Sequence, residues 1–462
     1  MAAAGTAVAT SLLLAGCASP SHSVSASSVP QMADAPPIVF VHGNGDTAAL
    51  WQTTVWRFES NGWPRERLHA IQVPYPLSRD DDSKAQPGRS STAENMAYLK
   101  AEVDKVLKTT GAAKVVLVAN SRGGYAVRNY ISNGGGDKTV SHAILGGTPN
   151  HGVWSIAGFR EANEFSGTGP FLKALNAPKN AAGDEVTGPV HWMTIRSDNN
   201  DKYAQPDGVW IGQKGKPTGV SYAGPELKGA KNVVLARADH RETAFSQAAF
   251  NAMFTFITGN EPRVQGVTPE KVVTLNGAIT GLGVDSLDPK TGNFSNNLPV
   301  PGAQLQVYAS NPATGARVGP ALLQRTVGAD GQWGPLVTSP NTPLEFVVSV
   351  PGYATTHIYR SPFPRSSRIV FLRPERMADA DKNSPAIVTM TRPRGYLDPT
   401  RDTMRLDGAA PLGVPPGAGA SSAKVKPADA MRPVVAEFNG ERVTGQTWPA
   451  AQGHVVVLEL TY

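Results

Sequence analysis

Ser121 is the residue best placed in this chain for covalent chemistry. It stands in Val115-Val116-Leu117-Val118-Ala119-Asn120-Ser121-Arg122-Gly123-Gly124, where an apolar run ends abruptly at a hydroxyl among small residues. Four apolar residues in a row read as a buried parallel strand. A strand, a sharp turn carrying a nucleophile and then a helix is the layout that presents a serine hydroxyl at the end of a sheet. Such a turn packs tightly, so the positions two before and two after the serine must be nearly free of side chain. They are Ala119 and Gly123, the first departing from the usual glycine by one methyl group. The competing reading is an ordinary strand-to-helix turn with serine as the helix N-cap.

A nucleophilic hydroxyl needs a base, a group that orients the base, and donors for the negative charge that develops on a carbonyl oxygen. Upstream, Pro37-Ile38-Val39-Phe40-Val41-His42-Gly43-Asn44-Gly45 is a second apolar run ending in a glycine-rich turn. It lies one strand–helix module before Ser121, which makes the main-chain N–H groups of Asn44 and Arg122 the candidate oxyanion donors. Asn-Gly also marks plain turns. Of nine histidines, His191 and His240 fall where the base is expected. His191 heads the strand-like run 189–195 with no acid suitably placed before it. His240 follows the apolar run 233–236 and precedes an amphipathic helical pattern around 245–257. Loops just beyond strand ends are where catalytic groups gather in open α/β sheets, which favours His240. Its neighbour Asp239 reads as a solvated surface charge. The loop after 190–195 offers three acids: Asp198 nearest the strand end, Asp201, and Asp207 in a turn before Gly208.

With these parts in one chain, residues from about 35 to 259 resemble the α/β-hydrolase superfamily. Ala119-Asn120-Ser121-Arg122-Gly123 is similar to the elbow of secreted bacterial lipases that begins with alanine. Gly146-Gly147-Thr148-Pro149-Asn150-His151-Gly152 resembles the Gly-Thr-Pro-His-x-Gly segment of lipases and polyester depolymerases, with Asn150 inserted and His151 one place late. The resemblance implies a mostly parallel sheet, the chain order serine, acid, histidine, and a serine ester hydrolase needing no metal or organic cofactor. Asp201 heads an Asp-x-x-small-x-Pro run that recurs at the acid loop of these hydrolases, so it is ranked ahead of Asp198 and Asp207. The implied catalytic set is Ser121, His240 and Asp201, with Asp198 as the alternative acid. The implied substrate is an ester or lipid. A polyhydroxyalkanoate-type polyester depolymerase is the alternative enzyme, and a non-catalytic surface-binding lipoprotein the alternative outside that class.

The amino end carries a second motif. Residues 1–16 are small and apolar, and Leu14-Ala15-Gly16-Cys17 matches a bacterial lipobox, in which the cysteine is acylated and becomes the new terminus. Cys17 is the only cysteine. The expectation is a signal peptide over 1–16, a Ser/Pro/Ala-rich tether over 17–35, and an exported protein held to a membrane by lipid. No basic residue precedes the apolar run, which departs from the usual signal pattern. A plain cleavable secretory peptide is the competing reading.

A chain of 462 residues, 40% hydrophobic, has room for two or three cores. Its net charge of +6 comes from scattered Lys and Arg with no nucleic-acid motif, so no nucleic-acid partner is expected. Oligomeric state is not legible. The stripe Met96, Leu99, Val103 and Leu107 marks a helix before the Ser121 strand. Residues 152–188 form an irregular aromatic-bearing insertion that either lines an acyl pocket or covers the sheet. The hydrolase part is expected over 36–260. Beyond it the pattern changes to short strands and turns: a β-sandwich over 261–374, resembling transthyretin-like accessory modules, and a β-rich segment over 375–462. Ala329-Asp330-Gly331 reads as a hairpin turn, and 411–427, rich in Pro, Gly and Ala, as a mobile loop. A hydrolase followed by such modules is similar to the two-domain archaeal long-chain lipase. Substrate docking or packing is the expected role of 260–462, and a chain ending near Gly259 is expected to stay competent on a short soluble ester.

Overall fold

The computed structural model describes Met1 and residues 31–208, 215–281 and 296–462. Cys17 and its flanking residues, on which the signal, tether and anchor readings rest, lie outside the described residues.

The first half is built on six parallel strands: β1 (Ile38–Val41), β2 (Leu68–Ile71), β5 (Val115–Asn120), β6 (Val140–Gly146), β7 (His191–Ser197) and β8 (Lys231–Leu235). A two-residue parallel pair, β3 (Leu77–Ser78) and β4 (Arg89–Ser90), lies beside the sheet sequence. Spatial order is β2-β1-β5-β6-β7-β8, every pairing parallel. The unbroken apolar runs of β1 and β5 follow from burial on both faces. Val39, Val41, Leu117 and Ala119 turn to one side, where α2 (Thr92–Thr110) and α3 (Arg122–Asn133) supply Leu99, Val103, Ala126 and Val127. Ile38, Phe40, Val116 and Val118 turn to the other, against Phe58 of α1 (Gln52–Ser60) and Phe250 and Met253 of α6 (Gln247–Thr258). Between them in sequence come the short helices α4 (Pro170–Leu175) and α5 (Glu242–Phe245). The helix marked by the stripe Met96, Leu99, Val103 and Leu107 is α2, which extends beyond the stripe at both ends. Ser91 and Glu94 close a capping box at its start, and Gly111 ends it at φ 67°, a left-handed value that costs glycine little.

The second half is β-structure. Its strands are β9 (Val273–Ala278), β10 (Gln304–Ser310), β11 (Arg317–Thr326), β12 (Gln332–Thr338), β13 (Leu344–Ser349), β14 (Thr355–Arg360), β15 (Val388–Thr391), β16 (Met404–Leu406), β17 (Ser422–Val425), β18 (Pro433–Phe438), β19 (Glu441–Gln446) and β20 (His454–Glu459). Seven of them form one sheet in the order β11-β10-β13-β14-β20-β15-β17, beside a β9–β12 pair and a β16-β18-β19 sheet. The large sheet crosses the boundary expected at 374/375, because β14 pairs in parallel with the last strand, Thr356 opposite Val455. Two local readings need correction. Ala329-Asp330-Gly331 is not a hairpin turn: β11 pairs with β10 while β12 pairs with β9, so the turn passes the chain from one sheet to another. Nor is 411–427 simply a loop. It contributes β17, antiparallel to β15, and buries Ala418 and Ala423.

The two halves share packing. Trp56 of α1 belongs to the core of the second half, meeting Phe363 edge-on at 6.2 Å and donating its indole N–H to the Ser366 carbonyl at 2.9 Å. Asn297 donates to the carbonyls of Asp46 and Val73 at 2.8 and 2.9 Å, which ties the second half to the loops after β1 and β2. Among the described residues no helix is long and apolar enough to cross a membrane.

Candidate active site

Ser121 sits where β5 ends and α3 begins, with φ 54° and ψ −125°. A non-glycine residue held there stores roughly 1–3 kcal/mol of backbone strain, which surrounding contacts must over-determine. They do. The Ser121 N–H donates to the Gly146 carbonyl at 2.9 Å, and the Asn120 amide donates to the carbonyls of Gly146 and His240. A Cβ on Gly43 would lie 2.8 Å from the Ser121 Cβ, and one on Gly123 would lie 2.6 Å from the Val41 carbonyl oxygen. The requirement for bare backbone at these positions is thus a matter of contact between the β1 turn and the elbow. His42, just before that turn, is buried, and its Nε2 accepts the Val73 N–H at 3.0 Å. Burial lowers its pKa to about 4, so it is a neutral strut at ordinary pH.

Asn44 uses its side-chain oxygen to accept the Ser78 N–H at 2.8 Å, which holds the turn facing the elbow. Arg122 is the first residue of α3, where main-chain N–H groups have no acceptor within the helix. Its side chain points away and is buried. It forks onto Glu164 at 2.6 and 2.8 Å and donates to the Ser90 and Pro76 carbonyls. That one guanidinium therefore pins the 152–188 insertion and the 76–90 loop to the elbow.

His240 lies in the loop before α5. Its Nδ1 is 2.9 Å from both carboxylate oxygens of Asp201, and both side chains are buried. Asp201 also accepts the Tyr203 N–H at 2.8 Å, and the Tyr203 ring stands edge-on to the imidazole at 4.4 Å. With Nδ1–H committed to the carboxylate, Nε2 is the nitrogen left to take a proton. The other acids lie elsewhere: Asp198 is exposed and accepts the Arg237 N–H at 2.7 Å, and Asp207 is in a turn. His191 begins β7, exposed, and His151 is bound to Glu185 at 2.8 Å. Asp239 is not the solvated charge expected. It is fully buried and ion-paired at 2.7 Å to Arg392, 153 residues later.

Ser121 and His240 open on one cavity of about 230 Å³. Asn44 lines it from the β1 turn, Trp154 and Phe165 from the 152–188 insertion, and Tyr396 from the second half. The rest of the insertion packs on a helix and not on the sheet, Leu172 and Leu175 meeting Tyr125 of α3. Arg241, also in the lining, is paired with Asp46 at 2.8 Å and stacks over the Tyr396 ring. No local sequence signal singled out Tyr396, Arg392 or Arg241, whose partners are distant in the chain. Among the described residues no cluster of three or more His, Cys, Asp or Glu could hold a metal ion.

Two family models match the chain: lipase (class 2) over residues 35–186 and lipase C-terminal domain over 271–377. Both are lipase models, and together they support an ester hydrolase of the α/β-hydrolase lipase family. The class 2 match takes in Asn44 and Ser121 and stops short of Asp201 and His240. Solved structures similar to this chain include a Bacillus licheniformis lipase in its mature form, at 21% identity and TM-score 0.35, covering 50% of this chain and 94% of that one. The propeptide form of the same lipase matches at 17% and 0.36, covering 91% and 94%. Lipase B of Aspergillus fumigatus matches at 14% and 0.34, and the chain spans 54% of its length. At these TM-scores the likenesses add nothing to the family match.

Proposed function

We propose that this lipase-family hydrolase is an exported serine esterase that works through an acyl-enzyme. Ser121 Oγ attacks the ester carbonyl while His240 Nε2 takes its proton; Asp201 holds the imidazole in the right tautomer and stabilises the imidazolium. The main-chain N–H groups of Asn44 and Arg122 bind the oxyanion. The imidazolium then protonates the departing alcohol. In the second half of the cycle His240 takes a proton from water, whose oxygen attacks the acyl carbonyl and releases the acid and Ser121. The observation that carries this reading is the buried Asp201–His240 pair, whose imidazole lines the same cavity as Ser121 in its strained turn.

Leu14-Ala15-Gly16-Cys17, with the chain's single cysteine, supports export and attachment of the enzyme to a membrane through an acylated Cys17. A carboxylic ester or lipid is the proposed substrate. The test is fluorophosphonate labelling together with hydrolysis of p-nitrophenyl butyrate. Ser121→Ala should abolish labelling and lower turnover by at least ~10³-fold with the fold retained. A labelled, active Ser121→Ala protein would refute the mechanism.

A further inference from the structure

The loop that presents His240 is held from outside the hydrolase half. Asp239 folds back over it, its Oδ1 accepting the main-chain N–H groups of Arg241 and Glu242, each at 2.9 Å. Glu242 answers by accepting the Asp239 N–H at 2.8 Å. The turn 239–242, which carries His240, thus brings two largely buried carboxylates together. Two cations from the second half face them. Arg392 reaches Asp239 at 2.7 Å and Glu242 at 2.6 Å; Arg401 reaches Glu242 at 2.7 Å and Asp239 at 3.4 Å. The Tyr396 N–H also donates to Asp239 at 2.8 Å, and the Tyr396 ring forms part of the cavity wall beside His240.

The two guanidiniums serve more than these two carboxylates: Arg401 also forks onto Asp402, both contacts at 2.9 Å, and Arg392 donates to the Tyr462 main-chain oxygen at 3.0 Å. Burial and the negative charge of Asp239 push the Glu242 pKa up. Burial works against ionised Asp239 too, yet Arg392 and Arg401 bring its pKa below the ordinary value. Neither carboxylate would sit comfortably in this turn without the arginines, because a buried charge left unpaired costs far more than a paired one. A catalytic imidazole displaced by even an ångström loses much of its effect.

We infer that Arg392 and Arg401 are positioning residues for His240, so that the second half completes the active site and does more than meet substrate. This rests on the serine-hydrolase reading. It reverses the expectation that a chain ending near Gly259 keeps its short-ester activity, since such a chain lacks both arginines.

The experiment uses the full chain and a short soluble ester, p-nitrophenyl acetate, so that docking of a long acyl chain plays no part. Arg392→Met leaves Asp239 and Glu242 with Arg401 alone, a cation they already share with Asp402. It should lower kcat by about 10²-fold, with KM changed less than about twofold if position and not binding is lost. Arg392→Met with Asp239→Asn removes the carboxylate that Arg392 neutralised while keeping an amide oxygen for the Arg241 and Glu242 N–H groups, and should recover much of the lost kcat. An unchanged kcat in Arg392→Met, a rise in KM alone, or a double variant no better than the single one would each overturn the inference. If Arg392→Met does not fold, Arg392→Lys keeps the charge and loses the two-pronged geometry. Reduced kcat at constant KM then supports the inference, and wild-type kcat overturns it. Arg442→Met, on an exposed pair of the same half, is the control expected to match wild type. The underlying reading fails separately, if Ser121→Ala remains active.

Discussion

Replacing Asp201 by asparagine isolates the orienting carboxylate with almost no change in volume. The amide can keep one contact to His240, but it carries no charge and can present its NH₂ where Nδ1–H must donate. In the structure both carboxylate oxygens lie 2.9 Å from Nδ1, and both residues are buried. The imidazolium formed during attack therefore has a full negative charge beside it, with little water between. Taking the charge centres as roughly 4 Å apart at an effective dielectric constant of about 20 gives about 4 kcal/mol of attraction. At 1.36 kcal/mol per decade that corresponds to about 10³-fold in rate, with the tautomer penalty added to it. Asp198→Asn offers a matched control: that side chain is exposed and accepts the Arg237 N–H, so its loss should cost less than about threefold. The assay is kcat/KM for p-nitrophenyl butyrate on both variants, with circular dichroism to verify the fold. A loss below tenfold in Asp201→Asn, or a larger loss in Asp198→Asn, would refute the reasoning.

Other outcomes follow from the same contacts. His42 is buried with its pKa lowered to about 4 from 6.5, so the unfolded chain binds more protons between those values; stability is fully present above pH 6.5 and lost as pH falls towards 4. The span amounts to roughly 3 kcal/mol, and urea unfolding at pH 7 and pH 4 should show a smaller drop in His42→Gln than in wild type. Gly43→Ala places a methyl group 2.8 Å from the Ser121 Cβ, so esterase activity should fall with a loss of about 1–3 kcal/mol in stability; wild-type activity would mean that the β1 turn yields freely. Expressed behind a complete signal sequence, wild type should incorporate labelled palmitate and enter the detergent phase while Cys17→Ala does neither; equal incorporation would exclude the anchor.

The sequence by itself determined the parts of this protein whose causes are local. The apolar runs of β1 and β5 announce burial on both faces, and the small residues at 119 and 123 announce the tight turn at Ser121, because each depends on a few adjacent positions. The same locality made His240 stand out as a histidine in a strand-end loop. Tertiary structure alone decided which acid meets it. Asp198 and Asp201 are three residues apart in one loop, and only the path of that loop over β7 and β8 turns Asp201 to the imidazole and Asp198 to Arg237. Two local signals misled for a related reason. Ala329-Asp330-Gly331 has hairpin chemistry, but turn chemistry sets a change of direction and leaves open which strand the chain pairs with next. Asp239 misled most of all: an aspartate in a loop has the same letters around it whether water or a guanidinium neutralises it. Its partner Arg392 lies 153 residues away, with no periodicity linking the two. Burial of a charge is settled by what the distant chain brings to it, and here the distant chain brings two arginines and the tyrosine that lines the cavity of Ser121 and His240.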